Sequence, residues 1–420
     1  MHTRLVGEIY RVELAFKEAA HTSRGIYHKH VVWYPTLWRN GVVAIGECAP
    51  LPDLSAEFLR GGNDYEERLN SYYQHLETFF FKLLDLVEVE TPLTAANLLS
   101  YLPELREYSS ILCGFEMLLQ HYEQGQVQAK QLKQAQDEGV VVLGTTSAEI
   151  EPLLWSSSFT QGKSALAING LIWMGDHATM AKRIEQKLHD GYRCIKLKIG
   201  AIDFNDELSL LTSLRERFSP QDLELRVDAN GAFAPQEAMA KLERLAALQL
   251  HSIEQPIKAG QAEALGYLCA HSPLSIGLDE ELIGVNSLQD KEHLLNLIKP
   301  QYLILKPSLH GGFVGCQEWI RLAKERGIGY WVTSALESNV GLNAIAQWCA
   351  TLPVNNPEHP AFNPFPQGLG TGLLYEHNSP SPLAIEHAQL KCTLSSRADF
   401  TAALRLFLRK HAVTTAHIEL

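Results

Sequence analysis

Five ionisable residues recur in the second half of this 420-residue chain at intervals that one strand and one helix would span. They are Lys198, Asp228, Glu254, Asp279 and Lys306, which lie 30, 26, 25 and 27 residues apart. Each stands at or near the end of a short apolar run, as in CIKLKIG, RVDANG and SIEQP. Lys196 precedes Lys198 by two positions, so both side chains would point to the same side of a strand. A single pair of lysines would indicate a solvent-facing stripe or a guarded sheet edge, but five charges in successive units indicate a shared site.

Three of these residues are carboxylates, which would repel one another on adjacent strands unless a cation lay among them. Taken alone, an acid after a strand is often a cap for the next helix, and Glu280 or Glu281 fits that interpretation or that of a solvated acid. Helix capping does not predict a charge at the same place in five successive units. Oxygen ligands without His or Cys favour Mg²⁺, and Mn²⁺ also fits. We therefore predict a metal centre. Its ligands would be Asp228, Glu254 and Asp279.

The lysines precede and follow the carboxylates in strand order. Lys198 beside Lys196 and a divalent cation should have a depressed pKa, and it could then act as a base near neutral pH. The cation would bind a substrate carboxylate and stabilise the enediolate that forms when the α-proton leaves. The pattern thus predicts that the partner is a small-molecule carboxylate and that Lys196 and Lys198 point into the mouth of a barrel.

The elements that would position these residues alternate between short strands and amphipathic helices from about residue 164 to residue 375. ALAINGLIWM is the first strand candidate, GIGYWVTSAL is the seventh, and NPFPQGLGTGLL is a weaker eighth. Such alternation implies right-handed parallel crossovers and favours a closed, irregular (β/α) barrel with its site at the carboxyl ends of the strands. An open doubly wound sheet is the alternative, but it usually has a Gly-rich phosphate turn after its first strand, which this sequence lacks.

The flanking segments predict a second, α+β unit. YRVELAF, IYHKHVVWY and GVVAIGE alternate as antiparallel strands do, and residues 60–126 are helical in pattern, with Thr91 and Pro92 predicted to start one helix. The segment RADFTAALRLFLRK is expected to fold back on the amino-terminal part. We predict an α/β protein in which residues 1–140 and 376–420 form an α+β capping domain and residues 160–375 form a modified (β/α)8 barrel.

Composition and charge exclude several classes of function. The net charge of −12 lacks the basic patch that nucleic-acid binding requires. No apolar segment is long enough to span a membrane, and the first residues lack the apolar core of a signal peptide. The seven cysteines are scattered without a C-x-x-C pair, which predicts reduced thiols in the cytoplasm. The sequence does not indicate an oligomeric state.

The charged strand ends, together with the surrounding motifs, resemble the enolase superfamily and specifically its muconate-lactonizing subgroup. The pattern K-x-K, D, E, D, K on successive strands is typical of that subgroup, and the resemblance covers nearly the whole chain. The similar motifs are INGLIWMG, IKLKIG, RVDANGAF, IEQPI, LDEEL, LKPSLHGG and TSALES. The resemblance implies an α+β capping domain over a modified barrel. GECAPLPDLS resembles the capping loop that closes over substrate, and HTSRG resembles its partner loop.

Within the subgroup the chain most resembles the dehydratase of menaquinone biosynthesis, which implies loss of water from 2-succinyl-6-hydroxy-2,4-cyclohexadiene-1-carboxylate. By that resemblance Lys198 removes the α-proton and returns it to the departing hydroxyl in a syn elimination. Lys306 would stabilise the enediolate from the opposite face. Lys196 would lower the pKa of Lys198 and contact the substrate carboxylate. The other implied contacts are Asn230, in the second shell or on the substrate, and Thr333 or Ser334 on the succinyl carboxylate, for which buried strand-end hydroxyls are an equal alternative.

Other functions use the same residues. A racemase of N-succinylamino acids would pair Lys198 and Lys306 as acid and base on opposite faces, and cycloisomerisation is a weaker alternative. A dipeptide epimerase would carry D-x-D at the eighth strand, where this chain has PQGLGTG, which we interpret as a Gly-rich turn rather than a phosphate cradle. A non-catalytic barrel would have lost at least one of the five charges. The role of His310 stays open, and a surface position is favoured over a catalytic role.

Overall fold

The amino-terminal part of the chain forms an antiparallel sheet backed by helices, as its alternating pattern predicts. The structure, a computed structural model, describes residues 4–22, 25–88, 93–137, 153–393 and 397–420, so the predicted helix start at Thr91 and Pro92 lies outside the described residues. The strands are β1 (Val6–Thr22), β2 (Gly25–Arg39) and β3 (Val42–Ile45), and the helices are α1 (Ala56–Leu59), α2 (Tyr65–Glu88), α3 (Leu98–Tyr101) and α4 (Ser109–Asp137). Apolar residues alternate onto both faces of this sheet, and each face is covered by its own core.

The middle of the chain alternates strands and helices in the predicted order. The strands are β4 (Leu166–Ala167), β5 (Gly170–Ile172), β6 (Cys194–Lys198), β7 (Glu224–Asp228), β8 (Ser252–Glu254), β9 (Ile276–Leu278), β10 (Tyr302–Leu305) and β11 (Gly329–Val332). The helices are α5 (His177–His189), α6 (Phe204–Arg217), α7 (Pro235–Ala246), α8 (Ala262–His271), α9 (Leu288–Ile298), α10 (Gly312–Glu325) and α11 (Asn339–Thr351). Short polar side chains begin several of these helices; Asp176, for example, accepts a hydrogen bond from the backbone of Thr179.

Strands β5 to β11 form one parallel sheet in chain order, which curls into a barrel. Between β11 and β5 the gap is spanned by a two-residue bridge rather than a full strand. Gln367 pairs with Ile168, and Gly368 pairs with Thr333. The weaker eighth strand candidate is therefore present only as this bridge, and the barrel is irregular, as the sequence predicts.

The carboxyl-terminal segments return to both parts of the molecule. Strands β12 (Leu383–Glu386) and β13 (Gln389–Cys392) form a hairpin that pairs with β4 and packs into the barrel core. Helix α12 (Arg397–His411) leads to β14 (Ala412–Glu419), which pairs antiparallel with β1. The expected return to the amino-terminal part is confirmed, whereas the division at residues 140, 160 and 376 stays a prediction.

The cysteines and the helices show two further features of the chain. All seven cysteines are buried and none forms a disulfide. Among the helices of the described residues, none combines the length and apolar character needed to cross a membrane.

Candidate active site

The barrel brings the predicted charged residues to one end of its strands. Lys198, Asp228 and Glu254 are the last residues of β6, β7 and β8, and they are direct neighbours across the parallel sheet. Asp279 and Lys306 follow the next two strands immediately. Because residues paired across a parallel sheet point to the same side, the regular spacing in the sequence becomes a row of charges at the mouth of the barrel.

The three carboxylates form a compact acidic group. Asp228, Glu254 and Asp279 are at most 1% exposed, and one oxygen from each lies within 4.8 Å of the others. Glu254 Oε1 and Asp279 Oδ1 are buried and have no hydrogen-bond partner within the described residues. Buried anionic oxygens without donors are costly, and a hard divalent cation would satisfy them. The donor set therefore fits the predicted metal centre.

Three lysines surround the acidic group. Lys196 contacts Glu254 Oε2 and lies 3.1 Å from Asp228 Oδ2, and Lys306 contacts Asp279 Oδ2. Lys198 Nζ lies 2.9 Å from the same Asp228 oxygen. Three ammonium groups thus face three carboxylates, so a bound divalent cation would leave the site with a surplus of positive charge suited to an anionic substrate.

Burial and ion pairing shift the pKa values of these side chains in opposite directions. Burial raises the pKa of Glu254 to about 7, although Lys196 opposes the shift. Burial would also raise the pKa of Asp228 and Asp279, but the neighbouring lysines outweigh it and hold both pKa values below their ordinary range. The same pairs raise the pKa of Lys196 and Lys306 against the effect of burial. The expected depression of the Lys198 pKa depends on a bound cation and stays a prediction.

Asn230 connects Lys198, the candidate base, to Asp228 and Glu280 through hydrogen bonds. Its Oδ1 accepts a hydrogen bond from Lys198 Nζ at 2.8 Å, and its Nδ2 donates to Glu280 Oε1 at 2.9 Å. Its backbone N–H donates to Asp228 Oδ1 at 3.0 Å, which the left-handed backbone at Asn230 (φ 44°) permits. Asn230 therefore orients both Lys198 and Asp228, one of the predicted metal ligands.

Glu280 and Glu281 are not the solvated or capping acids that their position suggested. Both are buried in the short 3-10 helix that follows Asp279. Glu280 accepts from Asn230, while Glu281 accepts from Gln255 Nε2 at 3.0 Å and from the backbone of Gly260 at 3.1 Å. Cap signals depend on local sequence, whereas these partners come from other strands.

Thr333 and Ser334 directly follow β11 and line the same cavity as the lysines. Thr333 Oγ1 donates to the carbonyl of Gly368 at 2.9 Å, and Ser334 Oγ donates to Glu337 Oε2 at 2.8 Å. Thr371 also lies 2.8 Å from the Ser334 hydroxyl. Both residues therefore reach the site, but their hydroxyl protons are engaged with protein oxygens.

A cavity of about 280 Å³ lies over the charged row. Leu51 and Leu54 of the GECAPLPDLS segment line it from the capping side, in agreement with the expected position of that loop. Trp173, which follows β5, also lines it, and its ring centroid lies 5.7 Å from Lys198 Nζ. Sequence reasoning missed Trp173; its place directly after the first barrel strand in INGLIWMG was the available signal. The centre of the HTSRG segment, residues 23 and 24, lies outside the described residues.

His310 is buried, so the prediction of a surface residue is wrong. It is 1% exposed, and its Nδ1 accepts a hydrogen bond from the backbone of Lys306 at 3.0 Å. Its Nε2 lies 4.0 Å from Asp279 Oδ1. Burial lowers the pKa of His310 to about 3, so the ring is neutral. A surface prediction was reasonable for a Gly-rich turn, but residues of α4 contact this turn and help to bury it.

The fold and the site define a capped (β/α) barrel with an acidic group that could hold a metal, between lysines at its mouth. A family model described as Enolase C-terminal domain-like matches residues 179–392, which include all the charged residues of the site. The chain belongs to the enolase superfamily, whose enzymes use divalent metals.

Particular members of this superfamily resemble the whole chain. A protein of Desulfotalea psychrophila (strain LSv54) named o-succinylbenzoate synthase is 43% identical over 382 residues, which is 90% of this chain and 96% of the relative. The crystal structure of MenC from Desulfotalea psychrophila LSv54 has a TM-score of 0.68 at 38% identity and covers 92% of this chain and 99% of its own. The muconate lactonizing enzyme of Pseudomonas fluorescens has a TM-score of 0.72 at 19% identity, covering 97% and 98%, and supports the fold alone.

Proposed function

We propose that this protein is an o-succinylbenzoate synthase, a hydro-lyase that converts 2-succinyl-6-hydroxy-2,4-cyclohexadiene-1-carboxylate to 2-succinylbenzoate in menaquinone biosynthesis. The observation that carries the proposal is the row of Lys198, the three buried carboxylates and Lys306 around one cavity. The relative at 43% identity supports the choice of reaction. The proposal includes a cytoplasmic setting, which the buried, unbridged cysteines support.

The proposed metal is Mg²⁺, held by Asp228, Glu254 and Asp279. When bound, it would supply Lewis-acid stabilisation of the negative charge that develops on the substrate carboxylate. The orphaned oxygens of Glu254 and Asp279 and the absence of nitrogen or sulfur donors from the acidic group support this assignment. Mn²⁺ has the same ligand preferences and is expected to substitute.

Lys198 is the proposed base. Its neutral Nζ would take the α-proton from the substrate, and the C–O bond to the leaving hydroxyl would break as the electron pair forms the new double bond. The same Nζ would then give the proton to the departing hydroxide, so that water leaves from the face on which the proton was removed. Asp228 and Asn230 position this nitrogen through bonds of 2.9 and 2.8 Å.

The other lysines would act as cations. Lys306 lies at the far end of the carboxylate row, four strands from Lys198 in chain order, and would stabilise the charge on the opposite side of the substrate. Lys196 would contact the substrate carboxylate and raise the acidity of Lys198. Asn230 would hold the carboxylate side of the substrate, while Thr333 and Ser334 stay candidates for the succinyl carboxylate. Either hydroxyl would have to turn away from Gly368 or Glu337 to donate to it.

The cavity walls suit the rest of this substrate. Leu51, Leu54 and Trp173 present apolar surface to the space above the charged row. A cyclohexadiene ring would bury its apolar faces there, and the product is an aromatic ring that can stack on an indole. The apolar upper wall and the charged floor thus match a molecule with a ring and two carboxylates.

Turnover on two substrates tests the proposal. The purified chain with Mg²⁺ would be given the succinyl-hydroxycyclohexadiene carboxylate, followed by absorbance, and an N-succinylated amino acid, followed by polarimetry. We expect loss of the diene without racemisation, and a fall of about 10²–10⁴-fold in kcat for Lys198→Ala, the range for a lost general base. Lys182→Ala, which removes an exposed lysine of α5, is the matched control and should turn over normally.

The other outcomes contradict the proposal in different ways. Racemisation without loss of the diene would assign the site to an N-succinylamino acid racemase. Dehydration that survives Lys198→Ala would remove Lys198 from the role of base. Inactivity on both substrates would reject the proposed reaction while leaving the fold and the family unaffected.

A further inference from the structure

His310 lies beside Asp279, and the proposed reaction does not use it. Its Nδ1 accepts the hydrogen bond from the backbone N–H of Lys306. A ring nitrogen that accepts a hydrogen bond carries no proton, so the neutral ring must carry its hydrogen on Nε2. His310 therefore presents a single fixed donor to whatever lies on its Nε2 side.

That side faces Asp279. Nε2 lies 4.0 Å from Asp279 Oδ1, and the backbone carbonyl of Asp279 is a second acceptor on this side of the ring. Neither Nε2 nor Oδ1 has another hydrogen-bond partner in the part of the chain that the structure describes. A buried donor and a buried acceptor that face each other without bonding are unusual, because each costs free energy when unpaired. A small rotation of the carboxylate would bring them within hydrogen-bond distance.

The backbone around His310 is held firmly. Its own N–H donates to the carbonyl of Lys306 at 2.9 Å, and the next two residues, Gly311 and Gly312, have φ angles of 87° and 71° that favour glycine. The capping domain fixes the turn from outside, because Ser109 Oγ accepts from the backbone of Gly311 at 3.2 Å and Glu116 accepts from the first residues of α10. The imidazole is therefore set in place before any ligand binds.

We propose that His310 is a positioning residue for the metal centre. Its Nδ1 would fix the backbone of Lys306, and its Nε2–H would donate to one lone pair of Asp279 Oδ1. This bond would orient the carboxylate and leave its other lone pairs available to the divalent cation and to Lys306. The inference rests on the proposed metal centre. Residues that orient metal ligands in this way change metal affinity or activity by about 10–100-fold when they are replaced.

Three substitutions at His310 test the roles of Nδ1 and Nε2 separately. His310→Gln places an amide donor near Nε2 but provides no acceptor at Nδ1, whereas His310→Asn places an acceptor near Nδ1 but cannot reach Asp279. His310→Leu removes both. The measurement is Mn²⁺ binding to the full chain without substrate, followed by the electron paramagnetic resonance signal of free Mn²⁺. Thermal unfolding of the metal-free proteins reports on folding.

We expect His310→Asn and His310→Leu to weaken Mn²⁺ binding by about 10–100-fold, while His310→Gln stays within about threefold of the native chain. The Gln variant should still lose kcat with little change in KM, because it releases the backbone of Lys306. This rescue of metal binding by Gln but not by Asn is not expected if His310 serves only to fill space.

Each contrary result has a separate meaning. Native-like Mn²⁺ affinity in a folded His310→Asn would overturn the inference and leave the proposed function intact. If His310→Asn does not fold, the test rests on His310→Gln. An Mn²⁺ affinity of His310→Gln as weak as that of His310→Leu would also overturn the inference. A native chain that binds no Mn²⁺ would overturn both the inference and the proposed metal centre.

Discussion

Two sets of buried acids in this molecule differ in how their oxygens are satisfied. At the barrel mouth, Glu254 and Asp279 each leave one oxygen without a donor among the described residues. At the contact between the capping residues and the barrel, Glu47 accepts from Ser338 and from the backbone of Gly341 at 2.6 Å, and Glu116 accepts from Phe313 at 2.6 Å. These glutamates cap the first turns of α11 and α10, where helix dipoles favour negative charge.

Perturbed pKa values do not distinguish the two sets. Burial raises the pKa of Glu47 to about 7 and that of Glu116 to about 8. It also raises the pKa of Glu254 to about 7. What separates them is the presence of protein donors for every oxygen. Raised pKa values alone would mark all three glutamates as catalytic. The hydrogen bonds instead indicate structural roles for Glu47 and Glu116 and predict ligand binding for Glu254.

Replacing one acid from each set should give the largest difference between the two sets. Glu254→Gln is expected to abolish Mn²⁺ binding and to lower turnover by at least about 10⁴-fold, since charge stabilisation by a metal supplies several kcal/mol. Thermal unfolding of the metal-free variant must accompany the titration, because the substitution also removes the ion pair of Glu254 with Lys196. Glu116→Gln should bind Mn²⁺ as the native chain does. Titration of both variants by isothermal calorimetry checks this, and loss of binding in Glu116→Gln alone would reverse the assignment.

The pH dependence of folding stability provides a second test, which concerns Glu116. Its pKa rises from 4.5 unfolded to about 8 folded, mainly through burial, with Glu318 adding to the shift and Arg106 opposing it. The folded state therefore holds the proton more tightly, and its stability should fall as pH rises from about 4.5 to 8. The full effect is on the order of 3–5 kcal/mol. Urea unfolding from pH 5 to pH 9 should show a steeper fall in the native chain than in Glu116→Gln, which keeps the contributions of Glu47 and Glu254. Parallel slopes in the two proteins would exclude a contribution from Glu116.

A smaller effect is expected at the glycine beside Glu116. A Cβ at Gly312 would overlap the Glu116 carboxylate, and its φ of 71° is already unfavourable for other residues. Gly260 has a similar φ of 86° but open space around it. Gly312→Ala should therefore cost about 2 kcal/mol more than Gly260→Ala, because it adds a steric clash to the same backbone strain. Equal midpoints in urea for the two variants would mean that Glu116 moves aside freely.

Most of the fold and the charged row could be predicted because they follow a local period. One ionisable residue per βα unit, such as Lys198 or Asp228, is visible in the sequence, and parallel pairing then places the residues side by side. His310 and Glu280 could not be assigned in this way. Their partners, Asp279 and Asn230, come from other strands, and burial of the Gly-rich turn depends on a helix about 200 residues earlier in the chain.

The pairing of β14 with β1 has a consequence for biosynthesis. Val6 lies opposite Glu419, so this sheet joins residues about 400 positions apart. At about 5–20 residues per second, the ribosome needs on the order of 20–80 s to pass from one strand to the other. The barrel strands emerge during that interval and can assemble first. Tyr27 of this sheet lines the cavity over the charged row. The sheet therefore acquires β14 only after Lys198 and Lys306 have been made, so the order of translation itself delays the completion of the cover.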